Sequence, residues 1–228
     1  MKNVAANPGT GHPIEVVLFD VGGVLLTNGW DHRERAAVYS HFGLSTAEQA
    51  EIEARHPVPY DAWERDSLSA DAYLDAVIFF SPRRFTREEF FTQMQSVSQP
   101  IPDNARRTLA TLSASKQVTV GLLNNESRDL HEYRMRRFGL DAEVHLQFSS
   151  CYLGLRKPEA AIYRRALDIL GTPGDRVLFV DDRAENVAAA QSVGMRVVRF
   201  TGEAALVAAL AALGLPTPEA VVGAEGHC

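Results

Sequence analysis

Carboxylate side chains end two apolar runs of this sequence, in positions where they could do chemistry. Asp20 follows the run at 16–19, and Asp181 and Asp182 follow the run at 177–180. Carboxylates act as nucleophiles and as ligands of hard cations, and two so close together raise one pKa unless a cation neutralises them. Oxygen ligands suit Mg²⁺. Either member of the pair could cap a following helix, but capping explains one of them and not both. The two runs therefore indicate a cation site with a potential nucleophile.

Amide and ammonium groups that could hold an anion occur at two further places. Asn124 and Asn125 end the run at 118–123, and Lys157 directly precedes Pro158. Amide side chains donate hydrogen bonds to anions, and a following helix would add free backbone N–H groups. Pro158 is predicted to begin a helix, so Lys157 would meet like-signed potential there unless an anion lies nearby. The alternatives are that the asparagines cap a helix and that the lysine points into water.

The apolar runs that carry these residues are typical of buried parallel strands. They are short and without polar alternation, as in strands that are covered on both faces. Gly22 and Gly23, just after the first run, allow a sharp turn and a close approach to a ligand. Because open α/β sheets bind ligands at the carboxyl ends of their strands, the polar residues are expected to share one edge.

From residue 103 onward, predicted helices and strands alternate, which indicates a parallel sheet covered on both faces. Helices are predicted at 103–114, 127–138, 158–170, 184–193 and 203–213. Strands are predicted at 118–123, 144–148, 176–180 and 195–200, in addition to the first at 16–19. The predicted fold class is α/β, with a doubly wound parallel sheet of the Rossmann-like kind.

The segment 28–102 differs from the rest and is predicted to be a helical insert. Ser45 with Glu48, and Thr86 with Glu89, are spaced as capping boxes that begin helices. About five short helices, separated by prolines, are expected there. The predicted organisation is a core of 14–27 plus 103–214, a helical cap of 28–102, and loose termini at 1–13 and 215–228.

The composition predicts a soluble cytoplasmic protein of ordinary globular type. The chain has 228 residues and a formal net charge of −6. No clustered Lys and Arg suggest a nucleic-acid-binding face, and the densest basic group, Arg134, Arg136 and Arg137, is expected on a solvated helix face. No stretch approaches the ~18 apolar residues of a membrane span, and no signal peptide is evident. Cys151 and Cys228 are far apart and imply no disulfide framework.

Together these stretches resemble the four motifs of the haloacid dehalogenase (HAD) superfamily, in the phosphatase-like branch with a helical cap after motif one. The matching residues, in family order, are Phe19-Asp20-Val21-Gly22-Gly23-Val24-Leu25, Leu123-Asn124-Asn125, Arg156-Lys157-Pro158-Glu159, and Val180-Asp181-Asp182 with Asn186. The resemblance extends over about residues 14–213.

The resemblance implies a role for each of these residues. Asp20 would be the nucleophile that forms an aspartyl-phosphate, and Lys157 would steady both it and the phosphate. The implied phosphate-binding residues are Gly23, Asn124, Asn125 and Lys157. The implied Mg²⁺ ligands are Asp20, the carbonyl of Gly22 and Asp182. Asp181 would be either a further ligand or a residue that contacts the ligands, and Asn186 would contact the ligands without binding the metal.

Two positions depart from the family pattern. Family phosphatases carry a second aspartate two residues after the nucleophile as general acid and base, and here that position is Gly22. Motif two usually has Ser or Thr where Asn124 stands, although asparagine can still donate a hydrogen bond. Glycine at the first position is shared by members similar to glucose-1-phosphate phosphatase. Another residue, for example Glu126 or one from the cap, could supply the missing proton.

The implied function is Mg²⁺-dependent hydrolysis of a small phosphorylated metabolite, with sugar phosphates favoured. Two alternatives stay open: a dehalogenase-type hydrolase, and a non-catalytic protein that binds phosphoryl groups or metal. Dehalogenation needs no metal, so the Asp181–Asp182 pair counts against it. The segment 28–102 contains no lysine, which argues against the Schiff-base chemistry of phosphonatases.

No nucleic-acid or membrane partner is expected, and the protein could be a monomer or a homodimer. Candidate substrate contacts in the cap are Trp30, Asp31, His32, Tyr60, Trp63 and Arg65. Each of these could instead belong to the cap's own core or to its solvated surface.

Overall fold

Five parallel strands form one sheet at the centre of the molecule. The computed structural model describes residues 12–219. The strands are β1 (Val16–Phe19), β2 (Thr119–Asn124), β3 (Leu146–Ser149), β4 (Val177–Asp181) and β5 (Arg196–Arg199). Their spatial order is β3-β2-β1-β4-β5, and every neighbouring pair is parallel. The chain steps outward from β1 in both directions, so the predicted doubly wound α/β sheet is confirmed.

The helices of the described residues fall into two groups. Those between β1 and β2 are α1 (His32–His41), α2 (Thr46–Arg55), α3 (Pro57–Glu64), α4 (Ala70–Val77), α5 (Arg87–Ser96) and α6 (Arg106–Ser115). Those that alternate with later strands are α7 (Arg128–Phe138), α8 (Ser150–Leu153), α9 (Ala160–Leu170), α10 (Ala184–Ser192) and α11 (Glu203–Ala212). Short 3-10 turns at Leu140–Ala142 and Gly174–Arg176 precede β3 and β4.

Alternate residues of the central strand face two different apolar clusters. Val17 and Phe19 join a cluster that includes residues of α6 and α11, whereas Val16 and Leu18 join one that includes residues of α9 and α10. All four residues of β1 are buried. Because both faces are covered by helices, the strand carries no polar alternation, as its sequence indicated.

Helices α1–α5, which we call the helical insert, surround an apolar cluster of their own. Trp63 stacks on Tyr73 with ring centroids 4.5 Å apart, and Trp30 Nε1 donates to the Tyr73 hydroxyl at 2.7 Å. Trp30 and Trp63 are only 0% and 1% exposed. Of the six predicted substrate contacts, these two are therefore core residues of the insert.

The predicted helix starts of the insert are confirmed. Ser45 with Glu48, and Thr86 with Glu89, each form both hydrogen bonds of a capping box. Each box satisfies two backbone donors that would otherwise be unpaired at a helix amino end, so these short helices begin where the sequence indicates.

Two expectations about basic residues are wrong. Helix α9 begins at Ala160 with Glu159 as its N-cap, so Lys157 does not sit at the amino end of a helix. Arg134 is buried rather than solvated, because it pairs with the buried carboxylate of Glu126 and donates to the Thr27 carbonyl. The periodicity of the sequence indicates neither the exact first residue of α9 nor the buried contacts of Arg134.

Residues 12–219 include no helix that is both long enough and apolar enough to cross a membrane. Of the predicted loose termini, residues 1–11 and 220–228 lie outside the described part of the chain. His12 and Pro13 belong to no regular element, although His12 bonds the Asp175 carboxylate at 2.9 Å.

Candidate active site

The sheet brings the predicted polar residues to one edge. Asp20 directly follows β1, Asn124 ends β2 and Asp181 ends β4. The register pairs Phe19 with both Leu122 and Val180, so Asp20 follows at the level of Asp181, and Asn124 lies one residue further along β2. The Asp20 amide donates to the Val180 carbonyl at 2.9 Å, which fixes the first turn beyond β1 against β4.

Lys157 joins the nucleophile candidate to the metal-site candidate. Its Nζ lies 2.8 Å from Asp20 Oδ1 and 2.7 Å from Asp181 Oδ2. All three side chains are buried. The Val21 amide also donates to Asp20 Oδ1 at 2.7 Å, whereas no donor among residues 12–219 bonds Asp20 Oδ2. One oxygen of Asp20 is thus held in place and the other is available for chemistry.

The adjacent aspartates differ in how their oxygens are used. Asp181 accepts from Lys157, from the Arg183 amide at 2.8 Å and from Asn186 Nδ2 at 3.0 and 3.1 Å. Asp182 Oδ1, by contrast, is buried without a hydrogen-bond partner among the described residues. An orphaned buried carboxylate oxygen is costly unless a further group binds it.

The donor set fits a hard divalent cation. Carboxylate oxygens of Asp20, Asp181 and Asp182 all lie within 4.8 Å of one another. Among residues 12–219, Lys157 is the one cation that contacts two of these carboxylates directly, and Arg183 attracts Asp182 from nearby. Three carboxylates thus outnumber the positive charges beside them. Oxygen ligands in excess of local positive charge are what Mg²⁺ requires, and the orphaned Asp182 oxygen offers it a ligand.

Burial and charge shift the pKa values of this cluster. Burial raises the pKa of Asp20 to about 7, against the opposing attraction of Lys157. Burial also raises the pKa of Asp182, and the Asp181 carboxylate adds to the effect. Burial disfavours the charged form of Lys157, but Asp20 and Asp181 outweigh it and raise its pKa. The ammonium therefore stays charged, while the carboxylates lack sufficient counter-charge.

Two glycines after β1 lie where a side chain would meet its neighbours, and Gly23 is also required by backbone conformation. Gly23 has φ +72°, and a Cβ there would collide with Asp182 Oδ2. At Gly22 a Cβ would lie 2.7 Å from Asn28 Oδ1 and 3.3 Å from Asn28 Cα. The Asn28 carboxamide thus occupies the space into which a side chain at position 22 would extend.

The two asparagines of motif two have different surroundings. Asn125 Nδ2 donates to the Lys157 carbonyl, and Asn125 Oδ1 accepts from the Lys157 amide, both at 2.8 Å. This pair of bonds positions the Lys157 backbone and leaves one amide hydrogen of Asn125 without a partner among residues 12–219. Asn124 is buried with its Nδ2 3.4 Å from His131 Nδ1, and it does not line the cavity described next.

A cavity of about 230 Å³ lies between this edge of the sheet and the helical insert. Of the predicted site residues, those that line it are Asp20, Gly22, Asn125, Lys157 and Asn186. The insert contributes Tyr60 and Glu64 of α3, and Asn28 and Asp31 lie in the segment that leads into α1. Asp31 and Tyr60 were predicted as substrate contacts, whereas His32 and Arg65 do not line the cavity.

Sequence reasoning missed the place of five charged residues in the cavity wall, namely Glu64, Arg134, Arg156, Arg183 and Glu185. Arg183 Nη2 bonds Asp31 Oδ2 at 2.8 Å, and Arg156 Nη1 bonds Asp61 at 2.6 Å, so ion pairs connect the insert to the strand-end loops. Arg156 belongs to the third motif, and Arg183 and Glu185 lie between Asp182 and Asn186 of the fourth, which was the available signal. Glu64 has no such neighbour in sequence.

Known proteins resemble this chain over much of its length. The family model of the haloacid dehalogenase-like hydrolases matches residues 14–194. Flavin mononucleotide hydrolase 1 of Arabidopsis thaliana is 25% identical over 203 residues, which cover 89% of this chain and 78% of that protein. Sesquiterpene phosphatase astK of Aspergillus oryzae is 34% identical over 95 residues, or 41% of this chain and 48% of that protein.

The chain spans less than half the length of several curated relatives that it matches, the sesquiterpene phosphatase among them. Among solved structures, a HAD family enzyme of Bacteroides thetaiotaomicron, in complex with magnesium and inorganic phosphate, superposes with a TM-score of 0.69. Its identity is 18%, and the match covers 83% of this chain and 95% of that one. At this identity the likeness concerns the fold.

The family match covers strands β1–β4, the insert and all four groups of strand-end residues. The fold agrees with that of a solved HAD family enzyme, and the carboxylate–lysine cluster lies where the motifs predicted it. The chain therefore belongs to the haloacid dehalogenase-like hydrolase family.

Proposed function

We propose that this protein is a Mg²⁺-dependent phosphatase that hydrolyses a small phosphorylated metabolite through an aspartyl-phosphate on Asp20. The observation that carries the proposal is the group of Asp20, Lys157, Asp181 and the half-buried Asp182 beside a cavity, with one Asp182 oxygen unpartnered among the described residues. Two relatives, a sesquiterpene phosphatase and a flavin mononucleotide hydrolase, have names that support this proposal. A metal-independent dehalogenase would have no evident use for this excess of carboxylates.

The chain's own residues would divide the chemistry as follows. Asp20 attacks phosphorus, the bond to the leaving oxygen breaks, and the alcohol departs. Water then attacks the aspartyl-phosphate, releasing phosphate and regenerating the Asp20 carboxylate. Lys157, 2.8 Å from Asp20 Oδ1, keeps the nucleophile oriented and offsets phosphoryl charge. Asn125 holds the Lys157 backbone, and its remaining amide hydrogen is available to a phosphate oxygen.

Asp20, Asp182 and the Gly22 carbonyl would hold Mg²⁺, with Asp181 and Asn186 behind them. When bound, the ion would neutralise negative charge on the phosphoryl group and on the carboxylates. Gly23 protects this arrangement because any side chain there would displace Asp182.

The size of the cavity favours a small substrate. About 230 Å³ is below the ~300–1,000 Å³ usual for ligand pockets. A sugar phosphate or a similar compact ester suits this space better than a flavin nucleotide or a long isoprenoid does.

Hydrolysis of p-nitrophenyl phosphate with Mg²⁺ or with EDTA tests the proposal. We expect turnover that EDTA abolishes and added Mg²⁺ restores. Metal binding without hydrolysis of any ester would instead identify a non-catalytic binding protein. Metal-independent halide release from a 2-haloacid would identify a dehalogenase. A panel of sugar phosphates and other alkyl phosphates then defines the substrate.

Replacing Asp181 or Asp182 with asparagine should change the melting temperature in different ways. Asp182→Asn should remove most of the rise in melting temperature that Mg²⁺ produces, because its free oxygen is the proposed ligand. Asp181→Asn should instead lower the melting temperature of the metal-free protein, because Lys157 loses a buried partner 2.7 Å away. Thermal unfolding of both variants with and without Mg²⁺ separates the two effects. Equal loss of the Mg²⁺ response in both would contradict this assignment.

Gly22 should resist even the smallest side chain while Asn28 is present. Gly22→Ala places a methyl group 2.7 Å from Asn28 Oδ1, and we expect a loss of about 1–3 kcal/mol in the free energy of unfolding. Asn28→Ala combined with Gly22→Ala should recover most of it, and denaturant unfolding of the single and double variants measures the recovery. If the two losses simply add, Asn28 does not fill the space beside Gly22.

A further inference from the structure

The cavity contains a carboxyl group from the insert that the proposed mechanism leaves unused. Glu64 ends helix α3, lines the cavity that Asp20 and Lys157 also line, and is only 2% exposed. The aspartate that the family has two residues after the nucleophile is absent here, because position 22 is glycine. Asn28 fills the space beside Gly22. The proposed phosphatase reaction still requires a proton for the leaving oxygen.

Glu64 is held in place by its neighbours. Arg156 Nη2 lies 2.5 Å from Glu64 Oε2, which is close enough for an ion pair. Arg156 is also bonded through Nη1 to Asp61 at 2.6 Å. These contacts fix where the Glu64 carboxyl lies on the cavity wall.

The other carboxyl groups near the cavity are exposed, engaged elsewhere or outside its wall. Asp31 is half-exposed, bonds Arg183 and caps helix α1. Glu185 is exposed in the first turn of α10. Glu126 is buried and its Oε1 has no partner among the described residues, but it does not line the cavity, and Arg134 pairs with its Oε2.

We infer that Glu64, supplied by the helical insert, is the general acid and base that replaces the aspartate absent at position 22. This inference rests on the proposed phosphatase function and deepens it. In-line attack by Asp20 puts the leaving oxygen on the side of phosphorus away from Asp20, which is the side that the insert covers. Glu64 is the buried insert carboxyl on that wall of the cavity.

The proton balance follows for both steps. As Asp20 bonds to phosphorus, the P–O bond to the leaving group breaks, its electron pair stays on oxygen, and that oxygen takes the proton of Glu64. The resulting Glu64 carboxylate takes a proton from water as the water oxygen bonds to phosphorus. The bond between phosphorus and Asp20 then breaks, and phosphate, ionised Asp20 and protonated Glu64 result.

The surroundings of Glu64 favour a protonated form at higher pH than usual. Burial raises its pKa, with Asp61 acting in the same direction, while Arg156, the Tyr60 hydroxyl and Arg183 act against it. Tyr73 of α4 and Glu126 of the loop after β2 also face it. With the acid form required in the first step, the first-step rate for alkyl phosphates should fall as pH rises through this pKa.

Single-turnover rates with Mg²⁺, for a series of aryl and alkyl phosphates of rising leaving-group pKa, test the inference. Glu64→Gln keeps the shape and removes the proton. We expect a loss of ~10²–10⁴-fold for alkyl phosphates, and under ~10-fold for p-nitrophenyl phosphate, whose leaving group needs no proton. The fall in rate at high pH should disappear in this variant.

Asp61→Asn is the matched control, because it also removes a carboxylate partner of Arg156 on helix α3 but does not line the cavity. Its leaving-group dependence should match that of the unmodified protein. An equal loss on aryl and alkyl esters in Glu64→Gln, or no loss on either, would overturn the inference while leaving the phosphatase function intact.

The unmodified protein gives a second test that does not depend on the folding of a variant. A shallow dependence of its first-step rate on leaving-group pKa supports an internal acid, and a steep dependence overturns it. If the unmodified protein hydrolyses no ester with Mg²⁺, the proposed function itself fails, and this result is distinct from either outcome above.

Discussion

Asp20→Asn is expected to lower the turnover of a phosphate monoester by on the order of 10³-fold or more, because a covalent nucleophile is lost and only binding terms remain. Asparagine keeps the shape of the side chain, and the Val21 amide that bonds Asp20 Oδ1 at 2.7 Å can still donate to an amide oxygen. The fold should therefore survive. Steady-state kinetics with p-nitrophenyl phosphate and Mg²⁺, together with a melting curve, checks both statements.

The matched control for this prediction is Asp66→Asn. Asp66 is exposed, does not line the cavity and pairs with Arg128. An exposed ion pair is worth only ~0–1 kcal/mol, so turnover should change little. Turnover of Asp20→Asn within tenfold of the unmodified protein would exclude Asp20 as the nucleophile.

Lys157→Met is expected to affect both activity and stability. Removing a positioned donor from a developing oxyanion typically costs ~10²–10³-fold in turnover. Removing one partner of a buried ion pair costs ~3–5 kcal/mol, because the remaining charge is left uncompensated. Here Asp20 and Asp181 would both lose the ammonium that lies within 2.8 Å of them. Denaturant unfolding of the metal-free protein measures the loss.

A double variant separates charge compensation from simple packing. Lys157→Met leaves the carboxylates of Asp20 and Asp181 without their ammonium partner. When Asp20→Asn is added, only Asp181 still carries an uncompensated charge, so the double variant should be more stable than Lys157→Met alone. Strict additivity of the two single changes would mean that the buried Asp20–Lys157 pair contributes nothing through charge.

The backbone arrangement of the core was predictable because local sequence patterns determine it. Uninterrupted apolar runs such as 16–19 can be satisfied only by strands covered on both faces, and alternating helices supply that cover. Capping boxes such as Ser45 with Glu48 act within one turn, so they mark helix starts without tertiary information. Parallel strands then place Asp20 and Asp181 at one edge by geometry alone.

The tertiary structure decided which charged side chains are buried and what each one contacts. Arg134 lies in a helix whose other arginines are solvated, and only the folded chain brings Glu126 and the Thr27 carbonyl to it. Lys157 owes its place to Asn125, 32 residues earlier, rather than to the start of a helix. Such pairings join residues that are distant in sequence, so no local period or cap encodes them.

The sequence by itself determined the sheet, the helical insert and the identity of the carboxylate–lysine group. Only the tertiary structure showed that Asn28 fills the space beside Gly22, that Asp181 and Asp182 differ in their free oxygens, and that Glu64 faces the cavity. The physical reason is that strand ends are positioned by backbone hydrogen bonds, which follow from local pattern. The wall opposite them is positioned by side-chain packing between the insert and the loops, which depends on residues far apart in the chain.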